Sequence, residues 1–133
     1  IHTHRNLKDA IVAIHQSLLP KLSWTHSIDD IIKYADNYQK IIKYFKKKYP
    51  QKIIDMSLED LTLNKERVTK EIFQFCNLSW KPQVLEFYSR KNLDIRTTSN
   101  TQIRSKITTY DKDKYSKYFY LFKEYQNKLN WLK

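Results

Sequence analysis

The 133-residue chain sets 25 Lys and Arg against 14 Asp and Glu, a formal net charge of +11, and contains no glycine. That length holds one domain or part of one, with room for a core but little for a complete α/β enzyme. Average usage supplies roughly one glycine in fourteen residues; its absence excludes a P-loop, a GxGxxG turn and any Gly-rich lid within these residues.

The basic balance favours anionic partners: nucleic acid, an acidic membrane or a phosphorylated ligand. Lysine is far commoner than arginine, and Ile and Tyr are plentiful, a mix that genome base composition also produces. The single cysteine, Cys76, excludes an internal disulfide and a Cys-based zinc site, and it fits a reducing, cytoplasmic compartment. Apolar runs such as Ile11-Val12-Ala13-Ile14 are too short to span a bilayer, and no signal peptide is expected. Because the chain starts at Ile1, without Met and inside a strand-like segment, further sequence is expected upstream.

In chain order, Ile1 and Thr3 read as the tail of a strand, Asn6 as an N-cap, and Ala10, Ile11 and Ile14 as the apolar stripe of a helix. Arg5 then stands at the carboxyl end of a strand beside the positive end of a helix. Ligands of open α/β sheets sit there, and Arg with helix N–H groups suits a phosphate, although a surface turn also accommodates an Arg. Leu18-Leu19-Pro20 marks a stop, and Lys21 to His26 a connection. Ser27 is expected to cap a long helix with Asp29 and Asp30 in its first turn, where the dipole favours anions. Ile28, Ile31, Ile32, Ala35, Tyr38, Ile41, Ile42 and Phe45 recur at helical spacing along it, and Lys46-Lys47-Lys48 closes it before Pro50.

Lys52 to Leu58 is the best internal strand candidate. Glu59-Asp60-Leu61 leads to Asn64, read as the cap of a helix over Lys65 to Cys76 with Val68, Ile72, Phe75 and Cys76 buried. Asn77 tolerates the left-handed conformation that ends such a helix. Val84, Leu85 and Phe87 predict one or two further helical turns. Tyr88 to Tyr110 is the least regular stretch. Its portion from Arg96 to Lys106 is rich in hydroxyls and cations, as in a mobile surface loop or an anion-binding segment held over a site. A last helix, from about Lys112 to Trp131, is expected to bury Tyr115, Phe119, Phe122 and Leu129.

Little in this order points to metal or nucleophilic catalysis. His2 and His4 alternate on a strand without a third ligand at a telling spacing, and His15 and His26 are isolated. No Ser-His-Asp order or HExxH motif stands out, and Glu59-Asp60 reads as helix-capping or lysine-pairing acids. Lys112 to Tyr118 interleaves lysines with tyrosines, as in a stacking surface for nucleic acid. A packed face with solvated lysines explains the same pattern.

Taken together, five segments resemble the C-terminal half of a sulfotransferase, most closely the bacterial TPR-linked and tyrosylprotein branch. Ile1-His2-Thr3-His4-Arg5-Asn6-Leu7-Lys8-Asp9 is similar to the family's strand–Arg–Asp/Asn–Pro–x–Asp element, and Trp24 through Tyr38 to Phe45 to its tyrosine-bearing long helix. Leu58-Glu59-Asp60-Leu61-Thr62-Leu63-Asn64 is similar to Tyr–Glu–Asp–Leu–Val–x–Asp. Phe75 through Pro82 is similar to Phe–Leu–Gly–Leu–x–Trp–x–Pro. Thr98 to Arg104 is similar to Ala–Ser–x–x–Gln–Val–Arg, with Lys114-Tyr115 at the family's basic-residue–Trp step.

The resemblance implies an α/β, P-loop-NTPase-like sulfotransferase fold. Residues 1–133 would be its C-terminal portion, mostly helical with one or two short parallel strands. It also implies transfer of a sulfuryl group from 3′-phosphoadenosine 5′-phosphosulfate to a hydroxyl or amine acceptor, with no metal. By position, Arg5 would hold the donor's 3′-phosphate through bidentate geometry. Ser99 would donate a hydrogen bond near the transferring sulfate, where charge shifts to the leaving phosphate. Arg104 and Lys114 would add positive charge around the donor.

The departures are equally specific. Ala13 stands where the family usually has a phosphate-binding Ser, and Ser17, one turn on, is the candidate replacement. Leu58 replaces a Tyr, Asn77 a Gly, and Leu7 a Pro. The 5′-phosphosulfate loop and the general base would both precede Ile1, so these residues alone are expected to show no turnover. Two alternatives remain at this level: a non-enzymatic basic helical module that binds nucleic acid, and a degenerate, inactive sulfotransferase.

Overall fold

Short strands and amphipathic helices alternate along the chain, and residues 1–90 and 103–132 are described by the computed structural model. They group into two compact units. The first joins Ile1–Thr3 to Ile54–Tyr110; the second joins His4–Ile53 to Asp111–Lys133.

Strand β1 (His2–His4), of which His2 and Thr3 belong to the first unit, pairs in parallel with β2 (Asp55–Ser57). The His2 N–H donates to the Ile54 carbonyl at 2.8 Å, and His2 Nδ1 meets Asp55 Oδ1 at 2.5 Å. The strand expected over Lys52 to Leu58 is shorter than its composition suggests, and Ser57 is the reason. Its Oγ accepts the Asp60 N–H at 3.2 Å and donates to Glu59 Oε2 at 2.8 Å, so Leu58 opens a helix instead of ending a strand. That helix, α3 (Leu58–Leu63), was not expected from the sequence.

Helix α4 (Lys65–Phe75) follows at once. Asn64 occupies the predicted cap position, but its side chain caps nothing there and donates to Asp60 Oδ1 at 2.8 Å. The expected buried stripe is also narrower. Val68 is buried and Ile72 half-buried, whereas Phe75 and Cys76 are exposed. They fall in the final turn, where the chain leaves the helix through Asn77 at φ 55°. Leu78 N–H bonds the Phe73 carbonyl at 2.8 Å and Asn77 N–H the Gln74 carbonyl at 3.0 Å, a Schellman closure built on Asn in place of Gly. Trp80 then folds back on α4, its Nε1 donating to Thr69 Oγ1 at 2.9 Å while Lys70 Nζ lies 4.7 Å from its ring centroid. The helical turns predicted around Val84 form a 3₁₀ segment, Pro82–Ser89.

The second unit is built on α1 (Leu7–Ser17) and α2 (Ile28–Lys48). Asn6 and Ser27 cap them as expected: Asn6 Oδ1 accepts from Lys8 N and Asp9 N, and Ser27 Oγ from Asp30 N. The core gathers Ile11 and Val12 from α1, Ile31, Ile32 and Ala35 from α2, and Phe122 and Leu132 from the C-terminal segment. Burial on α2 ends early, however. Ile41 and Phe45, spaced as core positions, are 55% and 42% exposed.

The continuous helix expected from Lys112 to Trp131 is replaced by 3₁₀ pieces, Ser116–Phe122 and Asn130–Leu132, joined by turns. Phe122 is buried as its spacing implies, and Tyr115, Phe119 and Leu129 pack half-buried against the core. Long-range bonds fix this path: Tyr125 donates its hydroxyl proton to Asp29, and Trp131 Nε1 donates to Asp36 Oδ1 at 3.0 Å. Tertiary anchoring of aromatic residues, which are middling helix formers, outweighs helical spacing here.

Candidate functional site

In the second unit, Arg5 stands two residues before α1. It is half-buried and makes no hydrogen bond or ion pair with any described residue. The N–H groups of Lys8 and Asp9, which a free helix start offers to an anion, are already held by Asn6 Oδ1 at 2.9 and 3.3 Å. Ala10 N–H bonds the Asn6 carbonyl at 3.0 Å as the helix begins. The strong donor left at this corner is therefore the Arg5 guanidinium, a planar fork matched to phosphate oxygens. Lys8 Nζ is drawn to the Phe119 ring, 5.6 Å from its centroid.

Ser17 ends α1 ten residues after Leu7, about 15 Å along the axis. Its hydroxyl donates to the Ala13 carbonyl at 2.7 Å. Ala13 itself offers only a methyl group. Lys114 is exposed, with Nζ 5.2 Å from the Tyr115 ring centroid.

Arg104 belongs to the first unit and is exposed. The stretch that carries it is tied down by two residues that the sequence analysis did not single out. Lys65 Nζ donates to the Ile107 carbonyl at 2.5 Å, and Thr62 Oγ1 accepts the Tyr110 N–H at 3.0 Å. Thr62 is buried and donates to the Glu59 carbonyl at 3.0 Å. A hydroxyl in place of an aliphatic side chain on the apolar side of a short helix is the signal that points to Thr62; nothing local distinguishes Lys65 from its neighbours. Ser99 lies outside the described residues.

The acidic pair takes the structural role expected of it. Glu59 accepts from the Ser57 hydroxyl, while Asp60 binds Arg67 through both carboxylate oxygens, at 2.6 and 2.5 Å. Arg67 also reaches Glu71 Oε1 at 2.7 Å. The Arg67 guanidinium, helped by Asn64, holds the Asp60 carboxyl below the usual carboxylate range, and Asp60 in turn raises Arg67. In the second unit, Lys40 and then Trp131 hold Asp36 low in the same way. These carboxylates are fixed as anions in ion pairs, the opposite of what a general acid needs. Among the described residues no group of His, Cys, Asp and Glu is placed to hold a metal ion.

A family model described as "Sulfotransferase family" matches residues 1–82, well over half of the chain. The chain belongs to the sulfotransferase family. The matched span contains Arg5, Ala13 and Ser17, while Ser99, Arg104 and Lys114 lie beyond it. The chain is also similar to an uncharacterized protein of Aquifex aeolicus (strain VF5), 27% identical over 122 residues. That alignment covers 89% of this chain and 16% of the relative. No solved structure matches. No described helix is long and apolar enough to cross a membrane.

Proposed function

We propose that this chain forms the 3′-phosphate side of the donor site of a sulfotransferase with a P-loop-like α/β domain, of the TPR-linked and tyrosylprotein type. The reaction is sulfuryl transfer from 3′-phosphoadenosine 5′-phosphosulfate to a hydroxyl or amine. The observation that carries the reading is Arg5: half-buried, ahead of a capped helix and without a protein partner among the described residues, in a family member.

When bound, the donor supplies an activated sulfuryl group. The acceptor oxygen or nitrogen bonds to sulfur as the bridging S–O bond breaks, leaving the electron pair on the 5′-phosphate of the released bisphosphate. What this chain contributes is positioning and charge. Arg5 binds the 3′-phosphate bidentately. Arg104 and Lys114 add positive potential around the nucleotide, and Ser99 donates towards the transferring group. Thr62 and Lys65 hold the downstream end of the segment that carries Ser99 and Arg104. Ser17 serves as a phosphate ligand only by giving up its bond to Ala13. Residues outside this chain supply the 5′-phosphosulfate loop and the base that takes the acceptor's proton.

The test is calorimetry of the full-length protein with 3′-phosphoadenosine 5′-phosphate. Arg5→Ala is expected to weaken binding at least about tenfold, the order of a charge-assisted pair of hydrogen bonds. Equal affinity in wild type and variant would falsify the role of Arg5. A second reading, a family member that binds the nucleotide without turning it over, is favoured by Ala13 and Leu58, which lack the family's hydroxyls. Sulfate transfer by the full-length protein separates the two.

A further inference from the structure

Lys65 and Thr62 are both poorly matched to the helices that carry them. Lys65 is half-buried at the first position of α4, where a cation opposes the helix dipole and an acid or a proline is the ordinary choice. The bond its ammonium makes is to a neutral group, the Ile107 carbonyl, 2.5 Å away and 42 residues further along the chain. Thr62 is buried on α3, where a hydroxyl is costly unless it is hydrogen-bonded. It is bonded in both senses, donating to the Glu59 carbonyl at 3.0 Å and accepting the Tyr110 N–H at 3.0 Å.

A third contact reaches the same stretch: Lys106 Nζ lies 5.6 Å from the ring centroid of Tyr88, in the 3₁₀ segment Pro82–Ser89. All of these groups belong to the first unit. Residues 103–110 are thus held from α3, from α4 and from the 3₁₀ segment. What they present is Arg104, exposed and three residues before Ile107, so its Cα lies within about 11 Å of that of Ile107. A guanidinium on a tethered turn meets an anion without ordering its backbone first; on a free stretch that ordering is paid when the ligand arrives.

We propose that Lys65 is a positioning residue for donor binding, which fixes Arg104 for the nucleotide by holding the Ile107 carbonyl while Thr62 holds the Tyr110 N–H. This rests on the donor-site reading above, in which Arg104 adds positive potential around the nucleotide. Lys65 acts through Arg104 and touches no part of the donor. Its conservative partner is arginine, which keeps a charged N–H donor for the carbonyl, whereas methionine keeps the aliphatic stem and removes the donor.

The experiment is a mutant cycle in the full-length protein, read by calorimetry with 3′-phosphoadenosine 5′-phosphate. Lys65→Met is expected to weaken binding about tenfold, the order of one charge-assisted hydrogen bond, and Lys65→Arg to restore most of the affinity. In an Arg104→Ala background Lys65→Met is expected to cost nothing further; in an Arg5→Ala background it is expected to cost its full factor, because Arg5 belongs to the other unit. Wild-type affinity in Lys65→Met, or an undiminished loss in the Arg104→Ala background, overturns the proposal; the second would mean that Lys65 supports the fold or binds the nucleotide itself. Loss of helical circular dichroism in Lys65→Met, or no rescue by arginine, overturns it as well. Wild-type affinity in Arg104→Ala removes Arg104, and Lys65 with it, from the donor site while leaving Arg5 in place. No binding by the wild type overturns the donor-site reading itself.

Discussion

Leu18 shows what a chain without glycine does when a helix must end. It sits at φ 40°, ψ 54°, directly after α1, with its N–H bonded to the His15 carbonyl at 3.3 Å. A left-handed conformation costs an ordinary L-residue roughly 1–2 kcal/mol, less for Asn, whose short polar side chain bonds locally. Asn77 takes the same conformation after α4, and Asn is the residue suited to it. Leu18 is exposed, so exchange removes no core contact. Leu18→Asn is therefore expected to raise the stability of the protein by about 1 kcal/mol, measured by urea denaturation; a lower midpoint would show that Leu18 makes a contact the strain supports. Such residues also show what the sequence makes legible. Asn6, Ser27 and Asn77 act where local chemistry places them, because a cap depends on neighbours within four residues. Asn64 does not, because Asp60 lies one turn back and takes its side-chain amide.

At the scale of elements, spacing identifies α1, α2 and α4 but not their burial. Ile41 and Phe45 repeat the interval of Ile31 and Ala35, yet at about 100° per residue they lie on a different side of α2 from that buried pair and from half-buried Ile42. Spacing by threes and fours records a helix; it does not record which of its apolar sides meets a packing partner. The C-terminal segment fails in the other direction. Its Tyr and Phe residues have helical spacing, while the bonds from Tyr125 to Asp29 and from Trp131 to Asp36 reach across more than ninety residues of sequence and fix short 3₁₀ turns. No window of local sequence contains that information. Helix α3 was legible in principle, since Ser57 followed by Asp60 is a capping pattern; the β-prone run before it hid the signal. The anchoring of residues 103–110 makes a prediction at this scale. Thr62→Val leaves the Tyr110 N–H without its acceptor, a loss of order 1–3 kcal/mol if that group stays buried. Hydrogen exchange is expected to quicken at Tyr110 and its neighbours while α4 amides keep their protection. Unchanged exchange at Tyr110 would mean that Thr62 does not hold this segment.

At the scale of the whole molecule, the functional reading rests on an imbalance of charge and an opening for it. The formal charge of +11 says that an anion is wanted somewhere, not where. Several exposed cations are engaged locally: Arg67 and Lys70 pair with acids, Lys40 with Asp36, and Lys48 and Lys114 lie against rings. Arg5 has no such local partner, and its position beside α1 was readable from the sequence because strand, Arg and N-cap are contiguous. The Asn6 cap was readable too, and because it takes the Lys8 and Asp9 N–H groups, the proposed recognition of a phosphate at this corner depends on one side chain. The full-length protein should accordingly distinguish nucleotides by the 3′-phosphate through Arg5. The most direct measurement compares the affinities of 3′-phosphoadenosine 5′-phosphate and adenosine 5′-phosphate in wild type and in Arg5→Ala. A strong preference for the bisphosphate in wild type that collapses in the variant is the predicted result; a preference that survives the loss of Arg5, or none in wild type, contradicts the account.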